Sequence, residues 1–256
     1  MKKLFFVALM AAVAFTSCKI EDGYKPRRTV RGLSMYSYVD DRLQVVIKDV
    51  QMFYRADAWL SATTDEERNK IHDAYFYYNY LGYDADKRQL SIRFAHDELI
   101  IETNGKLLHE VGSKWSYYYL YRGGKGFVPL TMECTAEGKY SVEYLQSEYN
   151  DMKRLLGEHH LTMEMSPVGD SLSEEYELVF NGTGRCSANL YLDEPFRIEY
   201  KTNELKWNNV HSMWYSGTID MTTDNGGTDT ARATLDYDSV EIEYRGLTDR
   251  YSTIDY

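Results

Sequence analysis

The sequence predicts a mainly β chain of the α+β class, in which an N-terminal pair of helices precedes an antiparallel sandwich, barrel or meander. Apolar residues recur every three or four positions between residues 39 and 81, which is the periodicity of an amphipathic helix. After Asp86 the period falls to two, and about ten short strand-like runs follow with turn residues between them. No linker-like composition occurs after residue 36. We therefore expect one unit, with a helical cap at 37–86 and an antiparallel β domain at 87–256.

The helical pair is predicted from an apolar stripe and from a start signal. The first helix carries its stripe at Val39, Leu43, Val46, Ile47, Val50, Phe53 and Tyr54. A break falls at residues 62–64, where Thr64 and Glu67 have the spacing of a capping box. The second helix is expected to present one face and to end near Gly82; that face consists of Ile71, Ala74, Tyr75 and Tyr78.

The β domain is predicted from alternating apolar residues and from turn residues. Asn104-Gly105, at the centre of segment 98–111, has the composition of a tight two-residue hairpin turn. A second hairpin is expected around Glu137-Gly138, between runs at 130–135 and 139–145. Segment 148–156 has the pattern of a short helix. Further runs occur at 161–165, 176–180, 188–192, 196–200 and 213–221, and a final pair, at 217–222 and 231–244, flanks residues 224–227.

Two cysteines are predicted to lie on the apolar faces of strands. Leu130 and Met132 alternate with Cys134, and Ala188 alternates with Cys186. One alternative is a disulfide between Cys134 and Cys186, closing a loop of about 50 residues and stabilising by roughly 4 kcal/mol. The other is a pair of buried free thiols that act as small hydrophobic side chains. Both alternatives stay open, because spacing alone contains no geometry.

Charge and motifs exclude several classes of function. The net charge of −11 would repel a phosphate backbone, so nucleic acid is excluded as a partner. His159 and His160 are adjacent, and neighbours on a strand point to opposite faces, so they cannot share a metal ion. No G-x-S-x-G elbow or phosphate-loop spacing occurs. We therefore predict a protein that is not an enzyme and has no cofactor and no metal.

The aromatic content points to a binding surface. The chain has 24 tyrosines, which are dense at Tyr75–Tyr83 and again on the run at 115–122. The candidate aromatic binding surface consists of Trp115, Tyr117, Tyr119 and Tyr121, since exposed aromatic rings stack on sugars or anchor a protein partner. The alternative is that tyrosine only reflects its high β propensity on half-buried surfaces.

The first 18 residues have the organisation of a secretory signal that ends at a cysteine. Lys2 and Lys3 are followed by an uncharged apolar stretch at 4–15 and by small residues directly before Cys18. The stretch is shorter than the roughly 20 residues of a membrane-spanning helix. We expect a signal peptide at 1–17 and a lipidated, flexible tether at 18–36 that reaches roughly 25 Å.

This arrangement resembles the lipobox of bacterial lipoproteins, in which the cysteine thiol receives a diacylglycerol and becomes the new N-terminus. Cys18 is accordingly the expected lipid-attachment site. Lys19, Glu21 and Asp22 resemble the short surface-export signal of Bacteroidota lipoproteins. That group also O-glycosylates Asp-Ser and Asp-Thr motifs, and the resemblance implies three acceptors here, namely Ser171, Thr230 and Ser239.

The resemblance implies a lipoprotein of the cell envelope, anchored in the outer membrane and displayed at the cell surface. We expect it to act as a non-enzymatic binding or envelope component, with a glycan, a host surface or another envelope protein as its ligand. One alternative is a structural subunit of a surface assembly, with segment 231–256 as a donor strand. A second alternative is a glycan-active enzyme that uses a pair of carboxylates.

Overall fold

One long helix is partly enclosed by a wide antiparallel sheet, in agreement with the predicted mainly β, α+β class. The computed structural model describes residues 28–76, 79–93, 97–121, 130–136, 138–144, 157–167, 176–188, 196–223 and 229–252. Helix α1 spans Val30–Ser61 and helix α2 spans Asp65–Tyr75. The strands are β1 (Tyr80–Asp84), β2 (Gln89–Arg93), β3 (Asp97–Thr103), β4 (Lys114–Tyr121), β5 (Leu130–Ala136), β6 (Lys139–Tyr144), β7 (Gly157–Pro167), β8 (Tyr176–Ala188), β9 (Phe196–Asn208), β10 (Met213–Thr223), β11 (Asp229–Asp236), β12 (Ser239–Tyr244) and β13 (Leu247–Ser252).

The strands form a meander, which is one of the three predicted arrangements. Each strand pairs antiparallel with the next strand along the chain, from β1 at one edge to β13 at the other. Turns of two to four residues connect several neighbouring pairs, and such turns bring consecutive strands together before any distant pairing forms. The predicted runs at 161–165, 176–180, 196–200 and 213–221 lie in β7, β8, β9 and β10.

Alternation along the strands produces one buried face. In β11 the side chains of Ala231, Ala233 and Leu235 are buried, while the residues between them are exposed. The buried side chains of the sheet and those of α1 belong to one hydrophobic core. The predicted boundary at residue 86 therefore does not separate two cores.

Helix α1 crosses the sheet from its last strands towards its first ones. Near its N-terminus it lies on β11 and β12, and further along Asp40 accepts a hydrogen bond of 2.5 Å from Trp214 Nε1 on β10. Near its C-terminus Phe53 packs on Trp115 of β4, and Asp57 accepts from the backbone N–H of Leu108 at 2.6 Å. One helix thus contacts both halves of the meander.

The predicted tether at 18–36 extends too far, because α1 already begins at Val30. Met35 and Tyr36 are buried in the core. Glycine and two serines in residues 32–37 weaken the local helical signal, and tertiary contacts override it. Thr29 Oγ1 donates to Asp249 Oδ2 at 2.8 Å and lies 2.6 Å from the Tyr251 hydroxyl.

Gly32 allows the first turn of α1 to approach the sheet closely. A Cβ atom at this position would lie 2.8 Å from Ile242 Cγ2 and 3.0 Å from Tyr244 Cβ. Both of these atoms belong to buried side chains of β12. Only a residue without a side chain fits this contact, so Gly32 fixes how deeply the helix is seated.

The break between the helices is confirmed, and the end of the second helix is corrected. Thr64 Oγ1 accepts from the Glu67 N–H at 3.2 Å, and Glu67 Oε2 accepts from the Thr64 N–H at 3.3 Å, which completes the capping box. Helix α2 ends at Tyr75 and does not reach Gly82, which lies in β1. Phe76 enters the core directly after the helix, and the following segment pairs with β2 instead.

The tight hairpin predicted at Asn104-Gly105 is wrong. Strand β3 ends at Thr103 and β4 begins at Lys114, so the connection spans residues 104–113. This loop folds onto the protein because Leu108 is buried and Trp115 Nε1 donates to the Lys106 carbonyl at 3.1 Å. The hairpin between β5 and β6 is confirmed, with Gly138 at a φ of 66°.

Several sequence predictions concern residues outside the described ranges. They are the signal peptide at 1–17, the short helix at 148–156, residues 189–192 of one strand-like run and the turn at 224–227. The predicted run at 231–244 contains two strands, β11 and β12, joined at residues 237–238. The described part of the predicted donor segment 231–256 pairs within its own sheet as β11, β12 and β13, and its role in a surface assembly stays a prediction.

We expect Gly32→Ala to destabilise the fold by up to about 2 kcal/mol in total. The added methyl group overpacks the contact with β12 at a cost of about 1–3 kcal/mol, and the gain in helix propensity, about 1 kcal/mol, offsets part of this cost. Urea unfolding of the two proteins measures the difference. Ser34→Ala, at an exposed position two residues further on, serves as the control and should change the free energy of unfolding by less than about 0.5 kcal/mol. Equal effects of the two changes would contradict the close seating.

A carboxyl group is buried between α1 and β4. Asp49 accepts a hydrogen bond from the Tyr117 side chain, and its Oδ2 is buried with no hydrogen-bond partner among the described residues. Burial raises the pKa of Asp49 from 3.8 to about 7, while the Tyr117 hydrogen bond and the nearby Lys48 act in the opposite direction. The folded protein therefore keeps a proton on Asp49 at pH values where the unfolded chain has lost it.

We expect stability to fall as pH rises from about 4 to about 8, by up to about 4 kcal/mol from this group. The folded-state pKa is raised, so the contribution of Asp49 is complete below the unfolded pKa and is lost above the folded one. Asp49→Asn should remove this part of the pH dependence and should stabilise the protein at pH 8. Urea unfolding at pH 5 and pH 8 measures both effects. Asp86→Asn, at an exposed turn position, should leave the pH dependence unchanged, and an unchanged dependence in Asp49→Asn would refute the assignment.

Candidate binding site

The anchor residues predicted from the sequence lie before the described part of the chain. Cys18, Lys19, Glu21 and Asp22 all precede residue 28, so their roles stay predictions. Ser171 also lies outside the described ranges. Thr230 is exposed on β11, and its role as an O-glycosylation acceptor stays a prediction. Ser239 is only 5% exposed and its Oγ accepts from Arg250 Nε at 2.7 Å, so the fold does not present this hydroxyl to a modifying enzyme.

The predicted aromatic surface on β4 is wrong for the two residues whose side chains are described. Trp115 and Tyr117 are buried and pack against Phe53 of α1, with ring centroids 6.2 and 5.5 Å apart. Their positions are two apart, so they share one face of the strand, and that face is the one covered by the helix. Tyr119 and Tyr121 also lie on β4, and their side chains are outside the described part.

Exposed tyrosines lie instead at the β1 edge of the sheet. Tyr75, Tyr80 and Tyr83 are 49%, 64% and 45% exposed. The Arg55 guanidinium lies 4.8 Å from the ring centre of Tyr75, and that of Arg93 lies 5.4 Å from that of Tyr80. The density of tyrosine at positions 75–83 indicated this cluster in the sequence, whereas the run on β4 belongs in part to the core.

The two cysteines of the described chain are free thiols. Cys134 and Cys186 are both buried, as the alternation predicts, and the disulfide alternative is corrected. Cys134 lies on β5 and Cys186 on β8, so two strands separate them, and three strand spacings amount to about 14 Å. A disulfide needs Cα atoms within about 7 Å. Burial raises the pKa of Cys186 to about 12, so this thiol stays protonated.

The outer face of the sheet contains a concave polar site, the β7–β10 groove, of about 500 Å³. Strands β7, β8, β9 and β10 contribute its walls, and its polar side chains include His160, Thr183, Arg185, Glu199, Lys201 and Asp220. Thr222 also lines it. The antiparallel register aligns these residues in two rows, one of which runs from His160 through Thr183 and Lys201 to Asp220.

Charged residues of opposite sign are paired on neighbouring strands in the groove. Arg185 is opposite Glu199 in the register, and Lys201 is opposite Asp220. On the next strand Arg232 donates to both oxygens of Asp220, from Nε at 2.6 Å and from Nη2 at 3.2 Å. The groove lining itself contains two bases and two acids besides His160.

A buried aromatic pair lies beneath the groove. His159 and His160 point to opposite faces of β7, as predicted: His159 is buried and hydrogen-bonds through Nδ1 to the Tyr200 hydroxyl, while His160 is exposed. The Tyr200 ring lies against Gly184, where a Cβ atom would come within 2.6 Å of three ring and hydroxyl atoms. Burial raises the pKa of Tyr200 well above its ordinary value, so it remains a neutral phenol. The floor of the groove therefore consists of a closely packed, hydrogen-bonded pair.

The groove could not be predicted from the sequence. Its members are ordinary surface types, and they become neighbours only once the register of four long strands is known. That register contains shifts between Phe180 and Gly182 and between Trp214 and Thr218. Alternation of buried and exposed positions along these strands is the one signal in the sequence that could have indicated that they face outwards. Among the described residues, no group of three or more His, Cys, Asp or Glu side chains is arranged to hold a metal ion.

We expect truncation of an aromatic side chain to reduce stability much more on β4 than at the β1 edge. Trp115→Ala should destabilise the fold by about 3–5 kcal/mol, because it leaves a cavity beside Phe53. Tyr80→Ala, at the exposed β1 edge, should change stability by less than about 0.5 kcal/mol. Thermal and urea unfolding of both variants measure this difference. A Trp115→Ala protein as stable as the wild type would contradict the burial of Trp115 and would support β4 as an exposed surface.

No protein-family model matches this chain, and no curated protein or solved structure matches it. Function is therefore inferred from the anchor signal, the groove and the exposed tyrosines. Of these three features, the groove is the one that brings the largest number of polar side chains together in a concave site.

Proposed function

We propose that this chain is a lipid-anchored protein of the bacterial cell envelope that binds a ligand without transforming it. The signal at residues 1–17 and Cys18 support the anchor, and the surface-export residues Lys19, Glu21 and Asp22 support a position in the outer membrane facing outwards. The ligand classes are those expected of such a protein: a glycan, a host surface or another envelope protein. The observation that carries the binding role is the β7–β10 groove.

The way in which α1 begins supports anchoring through the N-terminus. The Thr29 hydroxyl is hydrogen-bonded to the side chains of Asp249 and Tyr251 of β13. Arg31 lies 2.8 Å from Asp229 Oδ2, and Arg245 reaches the other oxygen of that carboxylate at 2.7 Å. These arginines lower the pKa of Asp229, so the carboxylate stays charged. A mechanical force applied through the proposed lipid anchor would therefore be transmitted to the sheet through the contacts of Thr29 and Arg31.

The length of α1 separates its N-terminus from the exposed tyrosines. Helix α1 has 32 residues, which corresponds to a length of about 48 Å. The tether joins its first turn, while Arg55 and Tyr75 meet near its other end. Arg55, which contacts the exposed Tyr75, is thus about 40 Å from the start of α1, and this separation supports a role for the exposed tyrosines in contact with a partner away from the N-terminal anchor.

Within the described ranges, no helix combines the length and the apolar composition of a membrane-crossing segment.

We expect Cys18→Ala to abolish incorporation of radiolabelled palmitate and to release the protein from the membrane fraction, since the acceptor thiol is lost. Labelling and fractionation of cells that express the full-length protein measure both effects. Cys134→Ala and Cys186→Ala serve as matched controls, because they remove a buried thiol and leave Cys18 in place; both should remain labelled. A Cys18→Ala protein that stays labelled or membrane-bound would refute the anchor.

A further inference from the structure

We propose that the β7–β10 groove binds a segment of a neutral glycan through hydrogen bonds. This proposal rests on the proposed function as a binding protein and names the ligand of that site. The volume of the groove, about 500 Å³, falls within the range of roughly 300–1,000 Å³ that is typical of small-ligand sites. The bound segment would lie on the outer face of the sheet, which leaves the rest of a longer chain free to continue into solvent.

The chemistry of the lining matches a ligand that both donates and accepts hydrogen bonds. The Thr183 and Thr222 hydroxyls each do both, the Glu199 and Asp220 carboxylates accept, and Lys201 donates. Sugar hydroxyls have the same dual character as the threonine hydroxyls. A site that mixes donors and acceptors at the spacing of neighbouring strands, about 4.8 Å, suits a polyol.

The charge of the lining argues for a neutral ligand. Among the residues that line the groove, the charges of Arg185 and Lys201 are matched by those of Glu199 and Asp220 on neighbouring strands, so the lining has no run of one sign to attract a highly charged ligand. The whole chain has a net charge of −11 and repels polyanions. The aromatic residue of the lining, Tyr200, is only 3% exposed, so the polar contacts of a ligand would come from the surrounding charged and hydroxyl side chains.

The groove is already organised for binding. Arg232 engages both oxygens of Asp220 and fixes the carboxylate plane, while leaving other lone pairs of those oxygens for a ligand. The strands that form the groove lie inside the sheet, each paired on both sides. Little ordering entropy is therefore lost when a ligand binds.

The test uses full-length protein in detergent and fluorescently labelled polysaccharides. Pullulan, mannan and arabinoxylan are the neutral probes, polygalacturonate is the acidic probe, and fluorescence anisotropy measures the dissociation constant. We expect at least one neutral probe to bind and polygalacturonate to bind at least about tenfold more weakly. Lys201→Met and Glu199→Gln should each weaken binding of the neutral probe about tenfold, since each removes a hydrogen bond to a charged group.

Matched control variants lie on the same face of the sheet outside the groove. Lys139 and Glu164 form an exposed cross-strand ion pair of 2.8 Å on β6 and β7, and Lys139→Met and Glu164→Gln should leave the dissociation constant within about twofold. Absence of binding to every neutral probe overturns the proposal. Stronger binding of polygalacturonate, or equal effects of groove and control variants, also overturns it.

The outcome is separate from that of the anchor experiment. If Cys18→Ala remains membrane-bound while mannan binding still requires Lys201, the lipid anchor fails and the groove assignment is supported. If Cys18 is lipidated and no neutral probe binds, the anchor is supported and the glycan assignment is overturned.

Discussion

The packing of α1 against the inner face of the sheet is the interaction on which the rest of the structure depends. The meander of 13 strands in the described part of the chain has two edges and one apolar face, and that face needs a partner. The helix supplies it, from Gly32 on β12 to Phe53 on β4. Because the apolar side chains turn towards the helix, the opposite face is left for polar residues, and the β7–β10 groove forms there.

The face of α1 that packs on the sheet includes three aspartates, and their hydrogen bonds set the position of the helix. Asp40 meets Trp214, Asp49 meets Tyr117 and Asp57 meets the Leu108 N–H. A purely apolar stripe would allow the helix to slide or rotate, whereas directional hydrogen bonds to three different strands or loops define one register. Specific seating of the helix is obtained at the expense of burying carboxyl groups, of which Asp49 is the most strongly perturbed.

The sequence allowed prediction of elements whose signals are local. The Thr64–Glu67 capping box and the alternation of Leu130, Met132 and Cys134 are decided within a few residues, and both agree with the structure. Features decided by distant contacts were not predictable: the start of α1 depends on β11–β13, and the loop at 104–113 depends on Asp57. The same reason explains the aromatic residues of β4, since alternation groups Trp115 with Tyr117 but does not say which face the helix covers.

The contact between Thr29 and Tyr251 joins the first described turn of the chain to its last described strand, across 222 positions of sequence. In a meander, every strand except the first finds a partner that was synthesised just before it, so the sheet grows in step with the chain. Helix α1 does not follow this order, because Gly32 and Arg31 fit surfaces on β11 and β12 that are made last. A chain that ends before residue 229 therefore lacks the strands against which the N-terminal turn of α1 packs. Burial of the first helical turn thus reports that β11 and β12, more than 190 positions further along the sequence, have been synthesised and are in place.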